Sequence, residues 1–392
     1  MHDLPPLARR MEGIRPFYVM ELLARAQELE AAGRSIVHME VGEPDFPTPE
    51  PVVQAGHRAL EEGRTHYLPA LGLPALRERI AGFYRERYGV ALDPARVVVT
   101  PGSSGALQLA MSVLIDPGAK VLMADPGYPC NRHFVHLVGG EAVNVPVGPE
   151  TGYQLTAALV EQAWRDDTRA VMVATPSNPT GTLLSRGQLA AIQAVVRSRG
   201  GILIVDEIYQ GLVYGDGQGT ALALGDDLVV INSFSKYFGM TGWRLGWMVV
   251  PEPWVEAIGR LAQNIFLSAP TVAQYAALAA FEPYNLAVLE QRRQAFQARR
   301  DFLLPALTGL GFRIGGVPAG AFYLYADCSA FTDDSFGFCR ELLEQEGVAT
   351  TPGRDFGFNR PERHVRFAYT TDIPMLEEGV ARLERFLGHG HR

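Results

Sequence analysis

Between about residues 96 and 235 short apolar runs alternate with stretches of helical periodicity. RVVVT, KVLMAD, AVMVAT, ILIVDE and LVVINSFS carry few polar interruptions, whereas GALQLAMSVLI and QLAAIQAVVRSRG repeat apolar residues at helical spacing. A strand covered by helices on both faces has no polar side, so this alternation predicts a mostly parallel sheet in an α/β fold. A further helix is expected near 130–138. Upstream stand the helix FYVMELLARAQELEAAG and the strand IVHMEVG; beyond about residue 285 a long charged helix gives way to an α+β pattern, FRIGG, AFYLYAD and HVRFAYT. The expected organisation is an N-terminal arm at 1–14, a small α+β domain drawn from 15–45 and 286–392, and a large domain at 46–285.

Sheets of this kind bind ligands beyond the carboxyl ends of their strands. The polar residues that follow the runs therefore come first as candidates: Ser103, Ser104, Tyr128, Asn178, Asp206 and the stretch from Ser233 to Lys236.

With 392 residues the chain exceeds the size at which one core usually stops growing, which fits a large and a small domain. A net charge of −8 argues against a nucleic-acid partner. The arginines of QRRQAFQARR, at 291–300, read as a solvated helix face. No run approaches the about 18 apolar residues of a membrane span, and no signal-peptide core opens the chain. Cys130, Cys328 and Cys339 are too scattered for a disulfide framework or a zinc site, so a reducing cytoplasm is expected.

Of the 35 basic residues, two are lysines, Lys120 and Lys236. Guanidinium is never neutral in a protein, whereas a lysine amine becomes a nucleophile once its surroundings depress its pKa. Lys120 follows the turn Asp116-Pro117-Gly118 and reads as a surface residue. Lys236 sits in NSFSKYFGMTGWRLGW, with Ser233, Ser235 and Arg244 nearby. That grouping offers an amine to a carbonyl and fixed donors to a phosphate. Asp206, closing an apolar run thirty residues earlier, reads alone as a helix cap or a structural ion pair.

VGEPDFPTP, YLPALGLPALRERIA, TPGSSGAL, DPGYPCN, SNPTGT, DEIYQGLVY, SFSKYFGMTGWRLGW, PAGAFYLYAD and HVRFAY occur in that order over nearly the whole length. In this the chain resembles the fold-type I pyridoxal-phosphate aminotransferases of class I/II, the aspartate, alanine and aromatic group. The resemblance implies a seven-stranded sheet in the large domain, pyridoxal 5'-phosphate as cofactor, amino acids and 2-oxo acids as substrates, and a homodimer with sites at the interface. It makes Lys236 the Schiff-base lysine and Asp206 the partner of the pyridine nitrogen, where a carboxylate keeps the ring cationic. Asn178 and Tyr209 match the donors to the phenolic oxygen, and Tyr128 the aromatic that stacks on the ring. Gly102, Ser103, Ser104, Ser233, Ser235 and Arg244 match the phosphate cradle, with Tyr67 reaching the phosphate of the neighbouring subunit. Arg366 becomes the bidentate clamp for the α-carboxylate, assisted by Gly42 and Asn178. Cys130 has no catalytic part.

The implied reaction is ping-pong transfer of an amino group to a 2-oxo acid, with Lys236 moving the proton. Ser104 stands where aspartate-preferring relatives can carry a lysine, and the bulky PFYVM segment at 16–20 is available to line a pocket, which opens the way to an apolar or aromatic side chain. A β- or γ-lyase or a cyclopropane-forming synthase on the same scaffold would share Lys236, Asp206 and Arg366. A regulator that keeps this domain as a sensor would need a DNA-binding domain ahead of IVHMEVG, where about 35 residues stand. A dinucleotide-binding dehydrogenase is disfavoured because no Gly-x-Gly-x-x-Gly follows a strand.

Overall fold

The computed structural model describes residues 5–14, 16–215, 217, 219–316 and 318–389. The first four residues of the expected arm and the last three of the chain lie outside them. Among the described residues eight strands precede residue 250: β1 (Val37–His38), β2 (Val97–Thr100), β3 (Lys120–Asp125), β4 (Glu141–Pro146), β5 (Thr168–Ala174), β6 (Ile202–Asp206), β7 (Leu228–Ser233) and β8 (Gly246–Val249). All but β1 form one seven-stranded sheet in the order β2-β8-β7-β6-β5-β3-β4. Only β8 runs against its neighbours, pairing antiparallel with β2 and β7.

The unbroken apolar runs have a direct structural cause. Alternate residues of one strand enter two different cores, one on each face. Val97 and Val99, Leu203 and Val205, Leu228 and Val230 join the larger core, while Val98, Ile204, Val229 and Ile231 join the other. A strand with two dry faces has no place for the alternating polar residue that marks a one-sided sheet. Of the helices α1 (Tyr18–Ala31), α2 (Glu50–Glu61), α3 (Pro74–Tyr88), α4 (Gly102–Leu114) and α5 (Pro129–Leu137), the last three pack against this sheet. Ala106, Leu107, Leu109, Ala110 and Met111 of α4 enter the second core. The helix Arg186–Ser198 starts on a capping box, Ser185 with Gln188, which fixes its first turn.

The remaining strands are β9 (Arg313–Ile314), β10 (Tyr323–Asp327), β11 (Val348–Ala349), β12 (Thr351–Pro352) and β13 (His364–Ala368). Four of them form a second sheet in the order β12-β13-β10-β9, and β11 pairs in parallel with β1. The chain's early and late segments are thereby hydrogen-bonded to each other.

One sequence expectation fails here. The arginines of 291–300 do not form a solvated face. On the helix Pro283–Gly309, Arg299 is buried and grips both carboxylate oxygens of Asp45 at 2.8 Å, its guanidinium lying against the rings of Phe46 and Phe296. Arg293 and Arg300 bond the backbone oxygens of Val213 and Pro318. Helical spacing among Gln and Ala could not reveal that the loop carrying Asp45 folds over this helix. No helix among the described residues is long and apolar enough to cross a membrane.

Candidate active site

At the carboxyl ends of β2, β5, β6 and β7 lies a cavity of about 290 Å³. Its walls include Gly42, Ser103, Ser104, Tyr128, Asn178, Asp206, Tyr209, Ser235, Lys236, Arg244 and Arg366. These positions span more than 300 residues of sequence, so the topology alone brings them together.

Lys236 follows β7 in a tight turn. Its Nζ donates to the carbonyl oxygen of Gly42 at 2.7 Å. Burial is the main influence on this amine and lowers its pKa to about 8, with the Arg366 and Arg244 charges acting the same way and Glu43 opposing them. Asp206 ends β6 and is buried, accepting the Ile208 N–H at 3.0 Å. Desolvation raises its pKa to about 6, and the opposing influence is that one backbone N–H. A carboxylate placed in a cavity wall without a cation to offset its burial is costly unless something cationic binds beside it.

Arg366 on β13 is buried, its guanidinium 4.3 Å from the centre of the Tyr323 ring and 4.9 Å from that of Phe356. It donates to Asn178 Oδ1 at 2.9 Å, to Thr351 Oγ1 at 3.2 Å and to the Glu40 carbonyl. Among the described residues its Nε has no hydrogen-bond partner, although it is buried. Three of its five N–H groups are engaged by these contacts, and two, Nε–H among them, remain spare.

The junction of β2 and α4 supplies a different chemistry. Helix α4 is preceded by Pro101, and no side chain caps its first-turn amides. Unpaired amides at the positive end of the helix dipole suit an anion. Ser103 lies inside the helix and is not its cap. Arg244 adopts a left-handed backbone, φ 52°, a strained choice for a residue with a β-carbon. It brings the guanidinium so close to Gly102 that a β-carbon there would meet Nη2 at 2.9 Å. Gly246 permits the same junction from below: its β-carbon would lie 2.7 Å from Gly102 C, 2.8 Å from Ser103 N and 2.9 Å from Asn232 O. Backbone cannot step aside as a flexible side chain can. Gly246→Ala is therefore expected to cost about 1–3 kcal/mol in denaturant unfolding and to weaken anion binding at the α4 terminus.

Ser233 and Gly102, both expected here, are not in the cavity lining, and neither is Tyr67, whose expected place is the neighbouring subunit's site. Ser233 is buried, its hydroxyl donating to Ser235 Oγ at 2.9 Å and lying 3.1 Å from the Leu245 carbonyl. It orients Ser235 instead of facing the cavity. Tyr67 is 79% exposed and outside the lining. Gly102 is likewise absent from the lining, though its neighbour Ser103 belongs to it. Tyr209, expected to face a ligand oxygen, shares a hydrogen bond of 2.8 Å with Tyr323.

Sequence reasoning missed several wall residues. Glu40 is fully buried, and its Oε1 lies 2.6 Å from His38 Nδ1, a contact that raises the imidazole pKa to about 9. Its backbone carbonyl holds Arg366. Thr351, Tyr323, Asp355 and Phe356 also line the cavity. Tyr323 lay within the quoted motif PAGAFYLYAD; nothing local marked the other three.

An amine of lowered pKa, uncapped amides at a helix start and a buried guanidinium with spare donors could together bind an anion-bearing carbonyl compound and a carboxylate. Comparison with known proteins agrees with that class. Residues 34–383 match the family model described as aminotransferase class I and II. The chain is 40% identical over 377 residues to the valine–pyruvate aminotransferase of Mycobacterium tuberculosis, covering 96% of this chain and 97% of that one. It is 34% identical over 385 residues to the aspartate/prephenate aminotransferase of Thermus thermophilus, covering 97% and 99%. A crystal structure of an aminotransferase from Mycobacterium tuberculosis superposes with a TM-score of 0.95 at 39% identity, covering 98% of this chain and 100% of that one. The chain belongs to the class I and II aminotransferases, whose members use pyridoxal phosphate. It is an enzyme that transfers amino groups between amino acids and 2-oxo acids.

Proposed function

We propose that Lys236 carries pyridoxal 5'-phosphate in this cavity. The observation that carries the reading is the convergence of an amine of lowered pKa, an uncompensated buried carboxylate and a partly unpaired buried guanidinium on one space. Ser103, Ser104, Ser235, Arg244 and the Gly102 amide would hold the phosphate, with Ser233 orienting Ser235. Asp206 would meet the ring nitrogen, Asn178 and Tyr209 the phenolic oxygen, and Tyr128 the ring face. Bound there, the cofactor supplies an aldehyde for amines and a cationic ring that accepts the electron pair released at the substrate Cα.

The rest of the work belongs to the chain. Arg366, backed by Asn178 and Gly42, binds and orients the α-carboxylate, so that the Cα–H bond has a fixed direction. Lys236, once displaced by the incoming amine, would be neutral often enough near pH 8 to take the Cα proton and return it at the cofactor's aldehyde-derived carbon, on the far side of the nitrogen. Asp206 would hold a proton at the ring nitrogen through its negative charge. The ping-pong cycle then runs in reverse with a second oxo acid. The lyase alternative has no observation in its favour.

We also infer a homodimer in which Tyr67 serves the neighbouring subunit's phosphate, a reading supported by its exposure away from its own cavity. A small domain from 15–45 and 286–392 set against a large domain at 46–285 is supported by the β1–β11 pairing. The three cysteines are free, which suits a cytoplasmic setting.

The test is chemical. Borohydride reduction of protein loaded with the cofactor should leave the adduct on Lys236 by peptide mass, and light scattering should give twice the chain mass. The folded amine pKa, depressed to about 8, sets a pH dependence. The reactive neutral amine grows about tenfold per pH unit below 8 and saturates above it. Trapping on cofactor-free protein should follow that curve. A rate still climbing beyond pH 10 would show an ordinary, solvated lysine.

A further inference from the structure

The relatives named above differ in the side chains their names imply, so family membership leaves this subsite open. The cavity's outer wall answers it. Phe17, Val19, Met20 and Leu23, from the start of α1, face the site together with Leu107 of α4 and Phe134 of α5. The cationic side chains lining the cavity are Lys236, Arg244 and Arg366, and each has its function in the reading above. Arg132, on α5, donates to the Asp355 carbonyl at 3.1 Å, lies over the Phe358 ring and is outside the lining. The unassigned charges of the lining are carboxylates, Glu40 and Asp355. A second carboxylate brought in on a substrate would be stripped of water among apolar groups and carboxylates, with no further cation among the described residues of this chain's lining to receive it.

The wall is also held in an unusual way. Phe17, the residue before α1, offers no side-chain cap. The cap comes from far along the chain: Asp355 accepts the Tyr18 N–H on Oδ1 at 2.7 Å and the Val19 N–H on Oδ2 at 2.9 Å. Asp355 is itself buried and seated on a fixed segment, since Asp125 accepts the Phe358 N–H at 2.9 Å and Gly127 N–H bonds the Phe356 carbonyl at 2.8 Å. Two free amides of a helix start thus meet one carboxylate whose other attachments lie beside the cavity.

We propose that the first turn of α1 reads the substrate's side chain, that it admits an apolar side chain in preference to one ending in a carboxylate, and that Asp355 is the positioning residue that holds this wall in place. The proposal rests on the transamination reading and narrows it to apolar amino acids and their monocarboxylic oxo acids.

The experiment uses the cofactor-loaded enzyme and follows cofactor absorbance in the first half-reaction with alanine, valine, leucine, methionine, phenylalanine, aspartate and glutamate. The best apolar donor should exceed aspartate and glutamate in kcat/KM by about 100-fold or more, the range expected when a site leaves a charged group unpaired. Equal or better rates with aspartate or glutamate would mean that a cation reaches the subsite, and would overturn the proposal while leaving the cofactor reading intact. Silence with every amino acid would overturn both. For Asp355→Ala the leucine-to-alanine ratio of kcat/KM should fall about tenfold, with partial recovery in Asp355→Asn, which keeps one acceptor oxygen. A merely structural aspartate would depress both substrates alike and leave the ratio unmoved, which would overturn its positioning role. The donor panel on the unmodified enzyme decides the specificity even if the variant fails to fold.

Discussion

Lys236→Ala should reduce transamination by at least about 10⁴-fold, because one substitution removes both the attachment point and the group that moves the Cα proton. Lys236→Arg should fail almost as completely. It preserves a donor toward Gly42, but guanidinium has no neutral form at working pH. Thermal unfolding of the cofactor-free Ala variant should stay close to that of the parent, since the lost hydrogen bond to Gly42 O is a single partly exposed contact and a desolvated ammonium is lost with it. The decisive control is a small primary amine added to the Ala variant. It should restore part of the activity by entering the space the side chain vacates. Unchanged turnover in Lys236→Ala would remove the amine from the chemistry altogether.

The sequence made the sheet legible because its strands are dry on both faces, as in the run LVVIN at 228–232, whose apolar side chains enter the two cores alternately. It did not show β4, the edge strand EAVNVP, where one neighbour is missing and polar residues return. Nor did it show that β8 runs backwards, since an apolar run has no direction. The residues proposed for the chemistry were visible wherever they stand at or beyond a strand end: Asp206 closing β6, Ser235 and Lys236 after β7, Ser103 and Ser104 after β2. Those that support them were not. Asp355 caps a helix 337 positions away, and Glu40 acts on Arg366 through its carbonyl, a contact that any residue type could make. Local pattern cannot report a partner that only tertiary folding supplies. Ser233 shows the opposite error, a hydroxyl in the right motif whose strand register turns it inward toward Ser235 and the Leu245 carbonyl.

Arg366→Lys is the second large effect, and it separates recognition from chemistry. The guanidinium is immobilised between Tyr323 and Phe356 and tied to Asn178, Thr351 and the Glu40 carbonyl. A carboxylate arriving there meets a rigid planar fork at no cost in side-chain ordering. An ammonium offers a point charge on a flexible stem, cannot span the same three acceptors, and leaves Asn178 Oδ1 or Thr351 Oγ1 short of a donor. Losing one charge-assisted pair and its geometry should cost about 3–4 kcal/mol, or roughly 10²–10³-fold in kcat/KM for an amino acid. A primary amine of the same shape but without the carboxylate gains nothing from the fork. Its slow half-reaction should therefore be nearly unchanged by the substitution, while the amino acid's falls. Equal losses for both would place Arg366 in the framework of the cavity and deny it the clamp.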